Sequence, residues 1–225
     1  MKKPDQKNLI LIVLILVAVL LGSFFGLQLL QTSADLETVK TALDLLKEDA
    51  NYRFASEATV SANDKQRSYY QIKGEATAQN RHISGEVLGT PVEVFYVDGI
   101  FWQKSGADGN FRQIATGELD QALKFAAELE PPSMLSFAEA LSWSFDGLEE
   151  INAVRCRKLT IQQARATGWI GQYFDQVSYT LWFERRKDRL CRAEVSASSQ
   201  SGTIDLRVII DFDGYDETFM IAPPQ

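Results

Sequence analysis

Hydrophobic residues form one continuous run near the N-terminus, and farther along the chain they alternate with polar residues. The run is Leu9–Leu30, LILIVLILVAVLLGSFFGLQLL, in which only Ser23 and Gln28 are clearly polar. With a rise of about 1.5 Å per residue, a helix of this length spans about 33 Å, enough to cross a hydrocarbon core of roughly 30 Å. The pattern therefore predicts a transmembrane helix.

The charges before this run predict its orientation. Lysines dominate the first eight residues, and Asp5 is the only acidic residue among them. Because positively charged flanks stay in the cytoplasm, we expect a single-pass protein of the cell membrane. Residues 1–8 would form a cytoplasmic tail, residues 9–30 the transmembrane anchor and residues 31–225 an extracytoplasmic domain.

A cleaved signal peptide is the alternative interpretation of the run. Signal peptides have an apolar segment of roughly 7–15 residues followed by small residues at the cleavage site, and Thr32-Ser33-Ala34 resembles such a site. The apolar run is longer than that range, which favours an uncleaved anchor. The first cysteine is Cys156, so lipidation of a cysteine at the end of the run is excluded.

The spacing of apolar residues changes from helical to strand-like near Asn51. Ala34–Ala50 has apolar residues three to four apart and is predicted to form a helix. After it the spacing is two, which is typical of strands with one buried face. Six strands are predicted in this part: Tyr52–Ala62, Arg67–Asn80, His82–Leu88, Val92–Val97, Ile100–Lys104 and Phe111–Ile114. Their links are too short for parallel crossovers, so an antiparallel meander is expected.

The middle of the chain is predicted to be helical. Glu118–Leu129 has one apolar face and ends before Pro131-Pro132. Ser136 and Glu139 form a capping box that predicts a second helix, Phe137–Trp143. Strands then resume around one longer loop, Gln162–Asp175: Glu149–Ile161 (one or two strands), Gln176–Glu184, Arg189–Ser198, Thr203–Asp213 and Thr218–Ile221.

Two local segments, together with this order of elements, carry a resemblance. They are Val97–Lys104, VDGIFWQK, followed by Asn110-Phe111-Arg112, and Val208–Tyr215, VIIDFDGY, leading to the tail Ile221–Pro224. The chain resembles the LolA/LppX/LprG-like superfamily of bacterial envelope proteins. The resemblance implies an α+β fold in which the N-terminal transmembrane helix precedes a curved antiparallel β-sheet, a half-open barrel, with short helices covering its concave face.

The resemblance also implies binding of a lipid or acyl chain between sheet and helices. It transfers no catalytic residue. The candidate ligand-binding residues are inward-facing strand positions and two residues of the predicted helical cover: Phe54, Val60, Ile72, Val94, Tyr96, Phe137, Leu141, Leu181, Phe183 and Val208. The same residues serve equally well in a filled core, so the sequence leaves open whether a cavity exists.

The charge balance excludes one class of partner. The chain has 23 Lys and Arg against 30 Asp and Glu, a net charge of −7. Nucleic-acid binding needs clustered Lys and Arg, so no nucleic-acid partner is expected. The expected partners are the membrane through the N-terminal helix, a lipid or acyl-chain ligand, and an envelope protein.

Catalytic and metal-binding patterns are missing from the sequence. His82 is the only histidine, and no zinc-ligand spacing, GxSxG elbow or phosphate loop is present. We therefore expect no metal, no cofactor and no enzymatic activity. Acidic pairs, Glu149-Glu150 and Asp211 with Asp213, could in principle serve acid–base catalysis. A solvated edge, or a weak calcium contact, is the favoured interpretation of the aspartates.

The two cysteines raise the question of a disulfide. Cys156 and Cys191 lie on strands that the simplest meander separates by the strand Gln176–Glu184. Two strand spacings are about 9.6 Å, beyond the limit of about 7 Å for a bridge. Free, buried thiols are therefore favoured, although direct pairing of the two cysteine strands would allow the bond.

Three functions are considered, and a hydrolase is the weakest of them because no pair of nucleophile and base is visible. The first is a membrane-anchored extracytoplasmic protein that binds a lipid or another apolar ligand, in envelope lipid or lipoprotein handling. The second is a non-enzymatic sensor or interaction module that regulates an envelope partner and has a filled core without a ligand.

The length of the apolar run predicts that the mature protein keeps its N-terminus. Mass spectrometry of N-terminal peptides from the membrane fraction should therefore recover residues 1–8. A mature N-terminus near Ala34 would show instead that the run is a cleaved signal.

Overall fold

The computed structural model describes residues 39, 41–44, 46, 51–63, 65–104, 109–187 and 189–224. The chain forms two compact units, Met1–Lys40 and Thr41–Gln225. Val39 is the one described residue of the first unit, and it is helical. The predicted anchor Leu9–Leu30 and much of the predicted helix Ala34–Ala50 lie outside the described residues. Within the described ranges, no helix is long and apolar enough to span a membrane.

The second unit is mostly β-structure. Ala42, Leu43 and Leu46, at its start, are helical and buried. Three short helices follow farther along the described chain: α1 (Thr116–Leu129), α2 (Pro131–Met134) and α3 (Gly168–Tyr173). The strands are β1 (Tyr52–Ala62), β2 (Lys65–Ala76), β3 (Arg81–Val87), β4 (Thr90–Val97), β5 (Ile100–Lys104), β6 (Phe111–Gln113), β7 (Phe137–Ile151), β8 (Val154–Ala166), β9 (Gln176–Glu184), β10 (Leu190–Ser198) and β11 (Ile204–Asp213).

All these strands belong to one antiparallel sheet in the order β6-β5-β4-β3-β2-β1-β11-β10-β9-β8-β7. The sheet consists of two meanders, β1–β6 and β7–β11, that are joined where β1 pairs with β11. Phe54 lies opposite Phe212 in that pairing. The two edge strands, β6 and β7, are therefore connected through α1 and α2.

One face of the sheet carries the core, and we call it the inner face. Directly opposed residues share a face, so the strand register groups them in rows. One row runs Leu181, Ala193, Ile210, Ser56, Ile72, and the next runs Tyr179, Val195, Val208, Ala58, Tyr70. Every member of these two rows is buried. The predicted alternation is confirmed because the inner side chains of these two rows are apolar or aromatic except Ser56, whereas outer ones such as Arg192 and Glu194 are polar.

The hairpin signal at Asp98-Gly99 corresponds to a tight turn between β4 and β5. Both residues have positive φ, 52° and 79°. Two successive left-handed residues give the turn a twist that matches the flanking strands. The sequence therefore predicted this hairpin correctly.

The predicted helix Phe137–Trp143 is wrong, because these residues begin β7. The capping box that predicted the helix does not form. Glu139 instead forms an ion pair with Arg165 across the strands, and Phe137 lies opposite Ala166. Pairing with β8 satisfies the backbone groups that the helix would have satisfied internally. Nearby, Pro131–Met134 forms the short helix α2.

Two smaller predictions are also corrected. The predicted strand Thr218–Ile221 has no strand structure. The segment predicted as the loop Gln162–Asp175 continues β8 to Ala166 and then forms α3.

A disulfide joins Cys156 and Cys191, so the expectation of free thiols is wrong. Strand β9 does lie between the two cysteine strands, as predicted, yet the Cα atoms are 6.9 Å apart. Cys156 is opposite Glu184, the last residue of β9. Cys191 is the extra residue of an irregularity between Leu190 and Arg192. Such a bulge bends and twists its strand, and here it brings β10 towards β8 at the end of β9.

We expect no alkylation of the unreduced, denatured protein, because both thiols are consumed in the bond. Intact-mass measurement with and without reductant checks this, and two labels without reductant would contradict the bridge.

The double variant Cys156→Ala, Cys191→Ala should lower the free energy of unfolding by about 2–4 kcal/mol, since the unfolded chain loses its cross-link. Reduced wild-type protein is the control and should show the same loss in urea unfolding.

Candidate functional site

The strand register brings the eight candidate strand residues onto the inner face. Phe54 shares a row with Gly74, Ile83 and Val94. The candidate ligand-binding residues on this face are Phe54, Val60, Ile72, Val94, Tyr96, Leu181, Phe183 and Val208. Val60 and Tyr96 are half-buried, and the other six are buried.

Phe54 owes its position to the glycine opposite it on β2. A Cβ atom at Gly74 would lie 2.4 Å from the Phe54 ring, closer than a side chain tolerates. The missing side chain of Gly74 therefore leaves room for the Phe54 ring beside the neighbouring backbone.

The two candidate residues of the predicted cover belong to β7 instead. Phe137 is half-buried on the inner face, and its ring centroid is 5.3 Å from that of Tyr179. Leu141 lies at a break in the β7–β8 register and is 62% exposed. Its assignment to a helical cover is therefore wrong.

Helix α2 covers the inner face over β1 and β2, where the interior is filled. The Tyr70 hydroxyl lies 3.1 Å from Ser56 Oγ and donates a hydrogen bond to Met134 Sδ at 3.0 Å. Burial raises the pKa of Tyr70, against a smaller lowering from its bond to Ser56. Met134 and Leu135 are almost completely buried. This part of the inner face is a packed core with a satisfied polar pair.

An ion pair attaches the junction of α1 and α2 to β3. Arg81 Nε lies 3.6 Å from Glu130 Oε2, and both side chains are largely buried. Arg81 also donates to the Asn80 carbonyl at 2.9 Å. Burial raises the pKa of Glu130, and Arg81 partly offsets that rise.

The inner face stays partly open at the β7 edge. The register places Trp143 opposite Ile161, Phe145 opposite Leu159, and Leu148 opposite Arg157 on this face. Phe145 is 51% exposed and Leu148 41% exposed. We call Trp143, Phe145 and Leu148 the open strip. It continues the buried apolar floor that Leu159, Ile161 and Leu181 form, so an apolar surface reaches solvent here.

A pocket of about 470 Å³ lies at the edge of the sheet where β7, β9 and β11 end and β8 and β10 begin. We call it the end pocket. Its apolar lining is Ile151, Val154, Leu190, Cys191 and Phe212, and its polar lining includes Glu184, Arg189, Tyr215 and Asp216. Lys187 and Arg189 both donate to Asp216, at 2.8 and 2.6 Å, and they lower the pKa of that carboxyl to about 2.

Two of the four acidic residues considered for acid–base chemistry, Glu149 and Asp211, take part in ion pairs on the outer face. Asp211 accepts two hydrogen bonds from Arg192, at 2.7 and 2.9 Å. Glu149 accepts one from Lys158 and one from the Trp182 indole, which hold its pKa below the usual range. At these contacts the two carboxylates stabilise the fold.

His82 stacks on Phe95 with ring centroids 4.0 Å apart, and its Nε2 lies 3.4 Å from Glu93 Oε1. Across the described ranges, no group of three or more His, Cys, Asp or Glu residues is arranged to hold a metal ion.

Sequence reasoning missed the open strip and the Tyr70–Ser56–Met134 cluster. The alternation of Trp143 and Phe145 was a usable signal, but the capping box directed the interpretation towards a helix. The contact between Tyr70 and Met134 joins residues far apart in the chain, and no local pattern predicts it.

Solved structures share this architecture. No protein-family model and no curated protein sequence matches the chain. LprF from Mycobacterium bovis superposes with a TM-score of 0.55 at 12% identity, covering 84% of this chain and 95% of LprF. The Mycobacterium tuberculosis lipoprotein LppX gives 0.53 at 13% identity, covering 84% of this chain and 99% of LppX. The chain therefore has the fold of LprF and LppX. The predicted resemblance is thereby confirmed at the level of the fold.

Tyr70→Phe should lower the free energy of unfolding by about 1–3 kcal/mol, because the Ser56 hydroxyl would stay buried without its partner. Urea unfolding followed by tryptophan fluorescence measures the change. Tyr173→Phe is the matched control, since Tyr173 is exposed and its hydroxyl stays hydrated. Equal stabilities of the two variants would contradict a stabilising role for the Tyr70 hydrogen bonds.

Proposed function

We propose that this chain is an extracytoplasmic binding protein that holds an acyl chain of a lipid against the inner face of its half-barrel. In this proposal it handles envelope lipid or lipoprotein and catalyses no reaction. The predicted helix Leu9–Leu30 anchors it to the cell membrane by a single pass.

The open strip is the observation that carries the proposal. Its three residues are apolar, face inwards and remain partly exposed, while the floor beside them is buried. An acyl chain laid along the strip would cover Phe145 and Leu148 and extend the apolar interior. Burial of apolar surface contributes about 25 cal/mol per Å², so covering about 200 Å² would stabilise a complex by about 5 kcal/mol before the costs of association.

The disulfide supports the proposed compartment. Bonds such as Cys156–Cys191 form and persist in oxidising surroundings outside the cytoplasm. LppX, which shares this fold, is a lipoprotein, and this supports the same proposal.

The absence of catalysis is part of the proposal and rests on the contacts of the candidate acid–base groups. His82 is engaged by Phe95 and Glu93. Asp211 is engaged by Arg192. Among the described residues, neither side chain hydrogen-bonds a serine, threonine or cysteine, as nucleophilic catalysis would require.

The alternative function, a sensor or interaction module without ligand, is favoured by the region under α2. There Tyr70, Ser56 and Met134 fill the inner face, as a ligand-free core would. The two functions differ in whether the open strip accepts a lipid.

The protein secreted from Ala34 onward and purified without detergent should carry lipid, because the open strip offers an acyl chain an apolar surface. Native mass spectrometry and solvent extraction should detect this lipid.

Phe145→Ser should weaken binding of a fluorescent acyl probe about tenfold, a change of about 1.4 kcal/mol. Leu88→Ser is the matched control, since Leu88 is exposed in the β3–β4 turn.

Recovery without lipid, together with no binding of added lipid, would exclude the binding function. Equal weakening by Phe145→Ser and Leu88→Ser would show that the probe does not bind at the strip.

A further inference from the structure

Two tyrosine hydroxyls on the inner side of the sheet are buried without a hydrogen-bond partner among the described residues. They belong to Tyr52 and Tyr215. Tyr52 is 1% exposed. Two other buried tyrosines show the usual arrangement, since Tyr70 bonds Ser56 and Met134, and Tyr179 donates to the Ser136 carbonyl at 3.5 Å.

A buried hydroxyl without a partner costs free energy, because its hydrogen bond to water is lost and not replaced. Such groups are rare in folded proteins, and each indicates a missing partner such as a water or a ligand. The two tyrosine rings are neighbours, so one acceptor within reach of both hydroxyls would satisfy both.

The backbone brings these two residues together. Tyr52 is the first residue of β1, and Tyr215 follows the end of β11, the strand that pairs with β1. Gly214 has φ 69°, a left-handed turn that a glycine adopts without strain. The two tyrosine ring centroids are 6.1 Å apart.

The surroundings of the pair are aromatic. The Tyr52 ring lies 6.2 Å from Phe54 and 6.0 Å from Phe212, centroid to centroid. Tyr215 also lines the end pocket of about 470 Å³. The pair therefore lies between the inner face and an opening at the end of the sheet.

The charges near the pair decide which kind of acceptor fits. Burial raises the pKa of Tyr52, the charge of Glu130 raises it further, and the charge of Arg81 lowers it. Glu130 and Arg81 form an ion pair with each other. Arg189, whose guanidinium lies 5.3 Å from the Tyr215 ring centroid, is paired with Asp216. The lining of the end pocket includes four carboxylates, Glu184, Asp213, Asp216 and Glu217, against one cation, Arg189. An anionic headgroup would therefore meet an excess of negative charge, whereas an uncharged oxygen needs only the two hydroxyl donors.

We propose that Tyr52 and Tyr215 donate hydrogen bonds to an uncharged oxygen of the bound lipid, such as an ester carbonyl. This subsite rests on the proposed lipid-binding function and adds the chemistry of the group that the lipid presents. It predicts that the protein distinguishes an ester from the corresponding free carboxylate.

The test uses the full-length chain in nanodiscs at pH 7 with two photoactivatable probes, a diazirine fatty acid and its methyl ester. Labelled peptides are quantified by mass spectrometry. Wild-type protein should be labelled at least fivefold more by the ester than by the acid. The double variant Tyr52→Phe, Tyr215→Phe should lose most of that preference, while labelling by the acid changes less than twofold. Tyr173→Phe, in an exposed tyrosine, should behave as wild type.

Thermal unfolding of the delipidated full-length variants gives an independent readout. Removing a hydroxyl that has no partner should leave the melting temperature unchanged or raise it. A fall of several degrees in both single variants, with the ester preference intact, would show that an internal water is the partner and overturn the subsite.

The two proposals fail in different ways. Equal labelling by ester and acid in wild-type protein overturns the subsite and leaves lipid binding intact. No labelling above that of an unrelated membrane protein by either probe overturns the lipid-binding function itself.

Discussion

The pairing of β1 with β11 holds the structure together. It joins the first strand of the sheet to the last, from Arg53 opposite Asp213 to Ala62 opposite Ile204. Without it the two meanders would be separate sheets, each with an apolar face exposed. Because β1 and β11 lie in the centre, the strands next to the helical connection become the edges. The position of α2 over the inner face and the openness of β7 both follow from this one pairing.

Under the proposed function, the edge strand β7 has to meet two opposing requirements. A long edge strand with apolar side chains invites pairing with other chains. Strand β7 has several breaks in its register with β8, between Phe137 and Gly147, and irregularities of this kind disrupt the regular edge that another strand would need. The strand can therefore keep Phe145 and Leu148 accessible to a small apolar ligand while it offers a poor template to a second protein.

The sequence predicted the strands where one face is buried along the whole element. Three predicted strands match the structure at both ends: Tyr52–Ala62, Ile100–Lys104 and Gln176–Glu184. Every second residue of these strands faces inwards, which leaves a clear period of two in the sequence.

The prediction of a helix at Phe137–Trp143 failed because a capping box is a local signal, and pairing with β8 is a tertiary effect that outweighs it. The prediction of free thiols failed for a related reason. The distance argument assumed regular strand pairing, whereas the bulge at Cys191 depends on tertiary packing. The inner positions of eight candidate residues were predictable from alternation, whereas the unpartnered hydroxyls of Tyr52 and Tyr215 depend on the contact between the start of β1 and the segment after β11, which are far apart in the sequence.

The sheet order also governs how the chain reaches its native state during synthesis. Strand β1 is made early, but its neighbour β11 comes only after Cys156 and Cys191 have been made. Until then, one side of β1 has unpaired backbone groups, and the N-terminal meander cannot complete its core. The C-terminal meander, in contrast, contains both cysteines and can close its cross-link by itself. Completion of the domain therefore waits for the last strand, and the emerging N-terminal half depends on protection from aggregation for most of the time that translation takes.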